Sequence, residues 1–152
     1  MSYFYKLLCQ NSETSQQFDI TDLASDIQMS TSLLNQPGRL TFSLQSDPDG
    51  NKPLSNGSII QLFVDGKGIF KGYIFRIGAN EKKVWTVTAY DQLRYLLNKD
   101  TIYTENMSAN QIFSRLCRDL QLSHRIDTPS RFIIPPVLHQ KKTYYLIIED
   151  SI

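Results

Sequence analysis

The stretch Arg39-Leu40-Thr41-Phe42-Ser43-Leu44-Gln45 alternates apolar and polar side chains at every step. Successive side chains of an extended chain point to opposite faces, so Leu40, Phe42 and Leu44 share one face and Thr41, Ser43 and Gln45 the other. A helix cannot segregate that pattern, so the segment predicts a half-buried strand. Lys82 to Tyr90 repeats it, with Trp85, Val87 and Ala89 on one face and Val84, Thr86 and Thr88 on the other.

Weaker versions fill the rest of the first ninety residues. In Leu23 to Leu33 the odd positions Leu23, Ile27, Met29 and Leu33 are apolar, and Asn35-Gln36-Pro37-Gly38 supplies a turn into the next strand. Residues 23–46 therefore read as one antiparallel pair. Asp47-Pro48-Asp49-Gly50-Asn51-Lys52-Pro53 is dense in turn formers and reads as a loop. Ser58 to Val64 and Ile69 to Ile77 read as strands joined by a hairpin turn at Asp65-Gly66-Lys67-Gly68. Gly78-Ala79-Asn80-Glu81 is the next turn, and Tyr3 to Leu8 a further strand. About six strands with short connections predict a mostly-β (α+β) chain, its first domain (1–90) an antiparallel barrel or sandwich.

The pattern turns helical from Asp91, where a small helical and extended insertion (91–152) is expected. Asp91 can cap a short helix carrying Leu93, Leu96 and Leu97, followed by an extended piece at Thr101 to Thr104. Ser108-Ala109-Asn110-Gln111 matches a capping box, with Met107 and Ile112 spaced as a hydrophobic staple. Ile112, Phe113, Leu116, Cys117 and Leu120 then form one stripe at helical spacing. Ile134-Pro135-Pro136 returns the chain to extended structure, and Thr143 can cap a last helix from Tyr144. That helix stops at Ile152 with no terminating signal, which suggests a truncated element.

Composition narrows the function classes. A 152-residue chain can bury one adequate core without staples. Its net charge is +1, with no run of four like charges, which argues against binding nucleic acid by phosphate neutralisation. Cys9 and Cys117 form no C-x-x-C pair and read more naturally as small buried hydrophobes of a chain made in a reducing cytoplasm than as a disulfide, the weaker alternative. No apolar run is long enough for a membrane helix, and the N-terminus lacks the character of a secretory signal.

A search for chemistry returns little, and no catalytic residue, cofactor or metal ligand is assigned. His124 and His139 lie in polar, loop-like surroundings without ligand-like neighbours and read as surface histidines. The Asp47–Asn51 stretch places Gly50 and Ser58 where a calcium loop would not. Gly66-Lys67-Gly68 lies between two strands, which a phosphate-binding loop does not. Carboxylates brought together from distant strands stay open at this point. Trp85, Tyr73 and Phe75 have apolar neighbours, favouring sheet packing over a stacking surface.

One long stretch carries a specific resemblance. Gly68-Ile69-Phe70-Lys71-Gly72-Tyr73-Ile74-Phe75, then Val87-Thr88-Ala89-Tyr90-Asp91-Gln92-Leu93-Arg94-Tyr95-Leu96, then Asn98-Lys99-Asp100-Thr101, resembles the XkdQ/YqbQ family of PBSX-type prophages. Ser108-Ala109-Asn110-Gln111-Ile112, Asp119-Leu120-Gln121-Leu122, Ile134-Pro135 and Lys142-Thr143-Tyr144-Tyr145-Leu146-Ile147-Ile148 resemble its later segments. Leu146 departs from that pattern, where an aspartate is usual. Family members are about twice this length. The resemblance implies a tail baseplate hub related to late control protein D, homotrimeric when intact, joining tail tube to central spike and assembled into the virion tail. It marks Phe70, Gly72, Tyr73, Tyr90, Asp91, Gln92, Arg94, Tyr95, Asp100 and Thr101 as signature residues. Physically these read as fold-defining, with Tyr90 and Tyr95 packing at a strand–helix junction and Arg94 placed to pair with Asp91 or Asp100. A hub subunit implies an exposed sheet edge or flat apolar surface for its neighbours. The competing readings are a cell-wall carbohydrate-binding module, needing an exposed aromatic row that could include Trp85, and a peptidoglycan hydrolase.

Overall fold

The computed structural model describes residues 3–33, 35–45 and 54–152, and the loop expected at 47–53 lies outside them. The chain forms two compact units, Met1–Leu93 and Arg94–Ile152.

The first unit is one antiparallel sheet. Its strands are β1 (Tyr5–Gln10), β2 (Gln17–Asp19), β3 (Ala24–Ser30), β4 (Arg39–Gln45), β5 (Ile59–Val64), β6 (Lys67–Ala79) and β7 (Val84–Tyr90). They lie in the order β2-β1-β5-β6-β7-β4-β3. The alternating patterns decide which face turns inward. Leu40, Phe42 and Leu44 from β4 and Trp85, Val87 and Ala89 from β7 are all buried, joined by Leu7, Cys9, Ile60, Leu62, Phe70 and Ile74. The sheet is curled, because Tyr5, Leu62 and Val64 face Ser25, Ile27 and Met29 of β3 across a groove of about 420 Å³. Among the described residues no strand pairing joins β2 or β1 to β3, so the curl does not close into a barrel. The mostly-β, antiparallel expectation holds, with seven strands in this sheet. The extra one, β2, is three residues long, too short to show a period.

Local details depart from the sequence reading in four places. The β5–β6 turn is tighter than expected, because Val64 pairs with Lys67 and only Asp65 and Gly66 lie between. Both have positive φ (48° and 77°), as a two-residue turn that matches sheet twist requires. β6 runs on to Ala79, so the next turn falls at Asn80–Lys83, where Asn80 Oδ1 accepts from the amides of Lys82 (3.0 Å) and Val84 (2.9 Å). In the Asn35–Gly38 turn the positive φ belongs to Asn35 (51°), not to Gly38. The odd face of residues 23–33 is not buried as a set. Leu23, Met29 and Leu33 are exposed, because β3 ends the sheet and Asp26-Ile27 bulge opposite Phe42.

The second unit pairs β8 (Lys99–Thr104) with β11 (Val137–Thr143), and β9 (Met107–Ser108) with β10 (Ile133–Ile134). Helix α1 spans Ala109–Asp119 and α2 spans Tyr144–Asp150. The capping box forms as expected. Ser108 Oγ accepts from the Gln111 amide at 3.4 Å, and Gln111 Oε1 accepts from the Ser108 amide at 2.8 Å. Ile112 and Leu116 from α1 and Tyr144 and Ile147 from α2 pack with Leu96 and Ile102, and Met107, the staple residue, packs against them. Thr143 caps α2, its Oγ1 accepting from the Leu146 amide at 3.2 Å.

Candidate functional site

The signature residues are set by backbone approach as much as by side chains. Phe70 and Gly72 lie on the inward face of β6, and Tyr73 is the register partner of Tyr90 at the end of β7. A Cβ on Gly72 would sit 2.4 Å from the Tyr90 carbonyl oxygen and 2.7 Å from Phe70 Cζ. Only a hydrogen leaves room for both, which accounts for glycine between Phe70 and Tyr73. On the outer face the ring of Phe75 meets Tyr90 edge-on, with centroids 5.6 Å apart. Trp85 is turned into the core, 7% exposed.

Asp91 closes the sheet end. Its Oδ2 accepts from the Gly38 amide (2.9 Å), its Oδ1 from the Leu93 amide (3.0 Å), and its own amide donates to the Gly38 carbonyl (3.0 Å). One residue thus fastens the start of β4 to the end of β7 and starts the following turn. Gly38 is held small by this clasp, since a Cβ there would lie 2.6 Å from Asp91 Oδ2. The turn, Gln92–Leu97, is a 3₁₀ helix carrying Gln92, Arg94 and Tyr95 and burying Leu96. Replacing Asp91 with alanine orphans two amide donors, so a loss of about 1–2 kcal/mol is expected. Urea denaturation would read it, and an unchanged midpoint would show that the clasp carries no stability.

Asp100 and Thr101 work at the other end of the signature. Asp100 Oδ2 accepts from the Tyr144 hydroxyl at 3.0 Å, and burial first, this hydrogen bond second, raise the Tyr144 pKa. Thr101 Oγ1 accepts from the Lys141 amide at 3.1 Å, where β11 bulges and Lys141 adopts φ 50°. Both hold the junction of β11 and α2 against β8.

One cluster was not legible in the sequence. His139, expected at the surface, is 2% exposed. It pairs across the ladder with Ile102, so it lies on the inward face of β11, while Leu138 beside it is exposed. Its Nε2 lies 3.4 Å from Thr104 Oγ1, and its Nδ1 lies 3.8 Å from Asp150 Oδ2 with no hydrogen-bond partner. Hydroxyl, imidazole and carboxylate stand in the order of a hydrolytic relay. Thr104 is only 2% exposed, however, and that hydroxyl offers a substrate no approach. The signal that could have found it is the period of β8, which puts Ile102 and Thr104 on one face. His124 is exposed as expected, with Nε2 3.0 Å from Ser114 Oγ and its ring edge-on to Phe113 at 5.5 Å.

Among the described residues no group of three His, Cys, Asp or Glu side chains is placed to hold a metal ion. Among them no helix is long and apolar enough to cross a membrane. Cys9 and Cys117 are free and buried.

A curled antiparallel sheet followed by a small α/β unit is a fold shared with chains of known structure, two of them tail proteins. The 43 kDa tail protein of prophage MuSo2 from Shewanella oneidensis superimposes with a TM-score of 0.74 at 12% identity, over 97% of this chain and 49% of that one. The tail protein from Neisseria meningitidis MC58 gives 0.67 at 12% identity, over 97% and 45%. A chain of the Francisella PdpA–VgrG complex gives 0.61 at 16% identity, over 99% and 28%. At such identities the likeness is one of fold. The family model described as YqbQ-like matches residues 27–152, and the chain belongs to that family. The Bacillus subtilis (strain 168) protein YqbQ, itself uncharacterized, is 39% identical over 71 residues, covering 45% of this chain and 21% of that protein. The chain thus spans half or less of the length of these relatives.

Proposed function

We propose that the chain is a structural, non-catalytic part of a phage or prophage tail, acting in the baseplate hub that joins the tail tube to the central spike. Residues 1–90 supply the assembly sheet and residues 91–152 a helical and extended insertion. The intact protein is a homotrimer, made in the bacterial cytoplasm and carried in the tail. The observation that carries this reading is the match of 97% of the chain to the fold of the MuSo2 tail protein. The end of the sheet at β3, which pairs on one side only among the described residues, supports it, because an edge strand offers backbone groups to a neighbouring subunit. The wall-binding alternative stands second, since Trp85 is buried and cannot anchor an exposed aromatic row.

The test is immunogold electron microscopy of tail particles from cells that encode the chain, with cross-linking of the intact protein. Label at the tube–spike junction and a three-chain product are expected. Particles without label, or a clearing band from this chain on a peptidoglycan gel, would overturn the reading.

A further inference from the structure

Among the buried groups of the second unit, His139 is the one whose surroundings leave a proton-accepting atom unused. The Thr104 hydroxyl lies 3.4 Å from the Val137 carbonyl, to which it donates. Its oxygen is then free to accept from Nε2–H of His139. That fixes the tautomer and leaves the Nδ1 lone pair without a partner inside the protein. The atom it faces, Asp150 Oδ2, sits near the end of α2 and is already paired with the ammonium of Lys142.

We propose that His139 is an acid-sensitive latch, and that a proton taken at Nδ1 loosens α2 from the β8–β11 pair. The charges acting on the ring are Lys142, on its own strand, and Asp150, on α2. From β8 it meets the neutral hydroxyl of Thr104, while the nearby Asp100 is bonded to Tyr144. From α1, Asp119 acts on Tyr144. Protonation would place two cations, His139 and Lys142, on one carboxylate, with the new charge in a site that excludes water.

Burial first, and Lys142 second, hold the His139 pKa below its ordinary 6.5, against the smaller pull of Asp150. A histidine so depressed contributes stability that is complete above pH 6.5 and is lost as the pH falls from there through the folded value. The loss falls on α2 because the buried imidazolium, repelled by Lys142, regains water only where the end of α2, which brings Asp150 Oδ2 to 3.8 Å from Nδ1, lifts from β11. The device is independent of any role in a tail.

Hydrogen exchange of the whole chain between pH 7.5 and 5, corrected for the intrinsic rate, is the direct test. Amides of Tyr144–Asp150 are expected to lose protection several-fold at the acid end while those of β4 and β7 hold. His139→Gln keeps a donor for Thr104 without a titrating group and should abolish the difference. Lys142→Met should reduce it and raise the pH at which the ring titrates. Nuclear magnetic resonance of the native His139 ring decides the matter even if a variant fails to fold. A ring titrating at or above the ordinary histidine value overturns the proposal, as does α2 protection that is flat across the range.

Discussion

Replacing Phe42 with alanine is expected to destabilise the first unit by about 3–5 kcal/mol, the usual cost of truncating a fully buried phenylalanine. Phe42 is 1% exposed, at the middle of β4, with Val87 of β7 as its ladder partner and the bulged pair Asp26-Ile27 opposite on β3. The neighbouring strands are hydrogen-bonded into one sheet and cannot collapse freely into the void. Native domains hold about 5–15 kcal/mol in all, so a loss of this size leaves little reserve. Trp85, the only tryptophan, is the partner of Leu44 on the same pair of strands, so its fluorescence in urea follows this unit. Phe42→Leu, which fills most of the space, should cost about 1.5 kcal/mol or less. An alanine variant within about 1 kcal/mol of the parent would mean that the void is absorbed and that the core of this unit is not tightly packed.

Gly72→Ala is expected to cost about 3 kcal/mol, at the upper end for overpacking, although it adds one methyl group. The added carbon meets a flexible ring and a fixed carbonyl, Phe70 Cζ at 2.7 Å and Tyr90 O at 2.4 Å. The ring can swing aside, but the carbonyl can retreat only by parting β6 from β7. The double variant Phe70→Leu with Gly72→Ala separates the two. It should recover little of the urea midpoint if the carbonyl is the obstacle. Full recovery would move the cause to the ring and leave the Tyr90 carbonyl with no part in requiring glycine at this position.

The fold was legible where side-chain alternation and burial obey the same period. β4 and β7 are central strands with one face inward, so Leu40 to Leu44 and Trp85 to Ala89 announce themselves. The two helix caps were legible because Ser108 and Thr143 act within three residues of themselves. Legibility fails where the backbone shifts phase. A bulge at Asp26-Ile27 breaks the run from Leu23 to Leu33, and a register shift between His139 and Lys142 interrupts β11. At β11 the outcome inverts the usual sorting, with Val137 and Leu138 exposed and His139 buried. The signature residues were recognisable as a set. The reasons for them were not, because Gly72 answers a carbonyl 18 positions away and Asp91 an amide 53 positions away, distances that local pattern cannot express.

The two thiols lie one in each unit, Cys9 on β1 and Cys117 on α1. Burial pushes Cys9 up to about 11, against a smaller opposing effect of a hydrogen bond with Ser58, and burial raises Cys117 as well. Only the thiolate attacks an alkylating reagent, so both are silent while their strand or helix stays packed. Labelling can then proceed only through opening, and the rate at each sulfur measures how often its own surroundings come apart. The chain carries a separate clock for each half, already in place without any engineered probe.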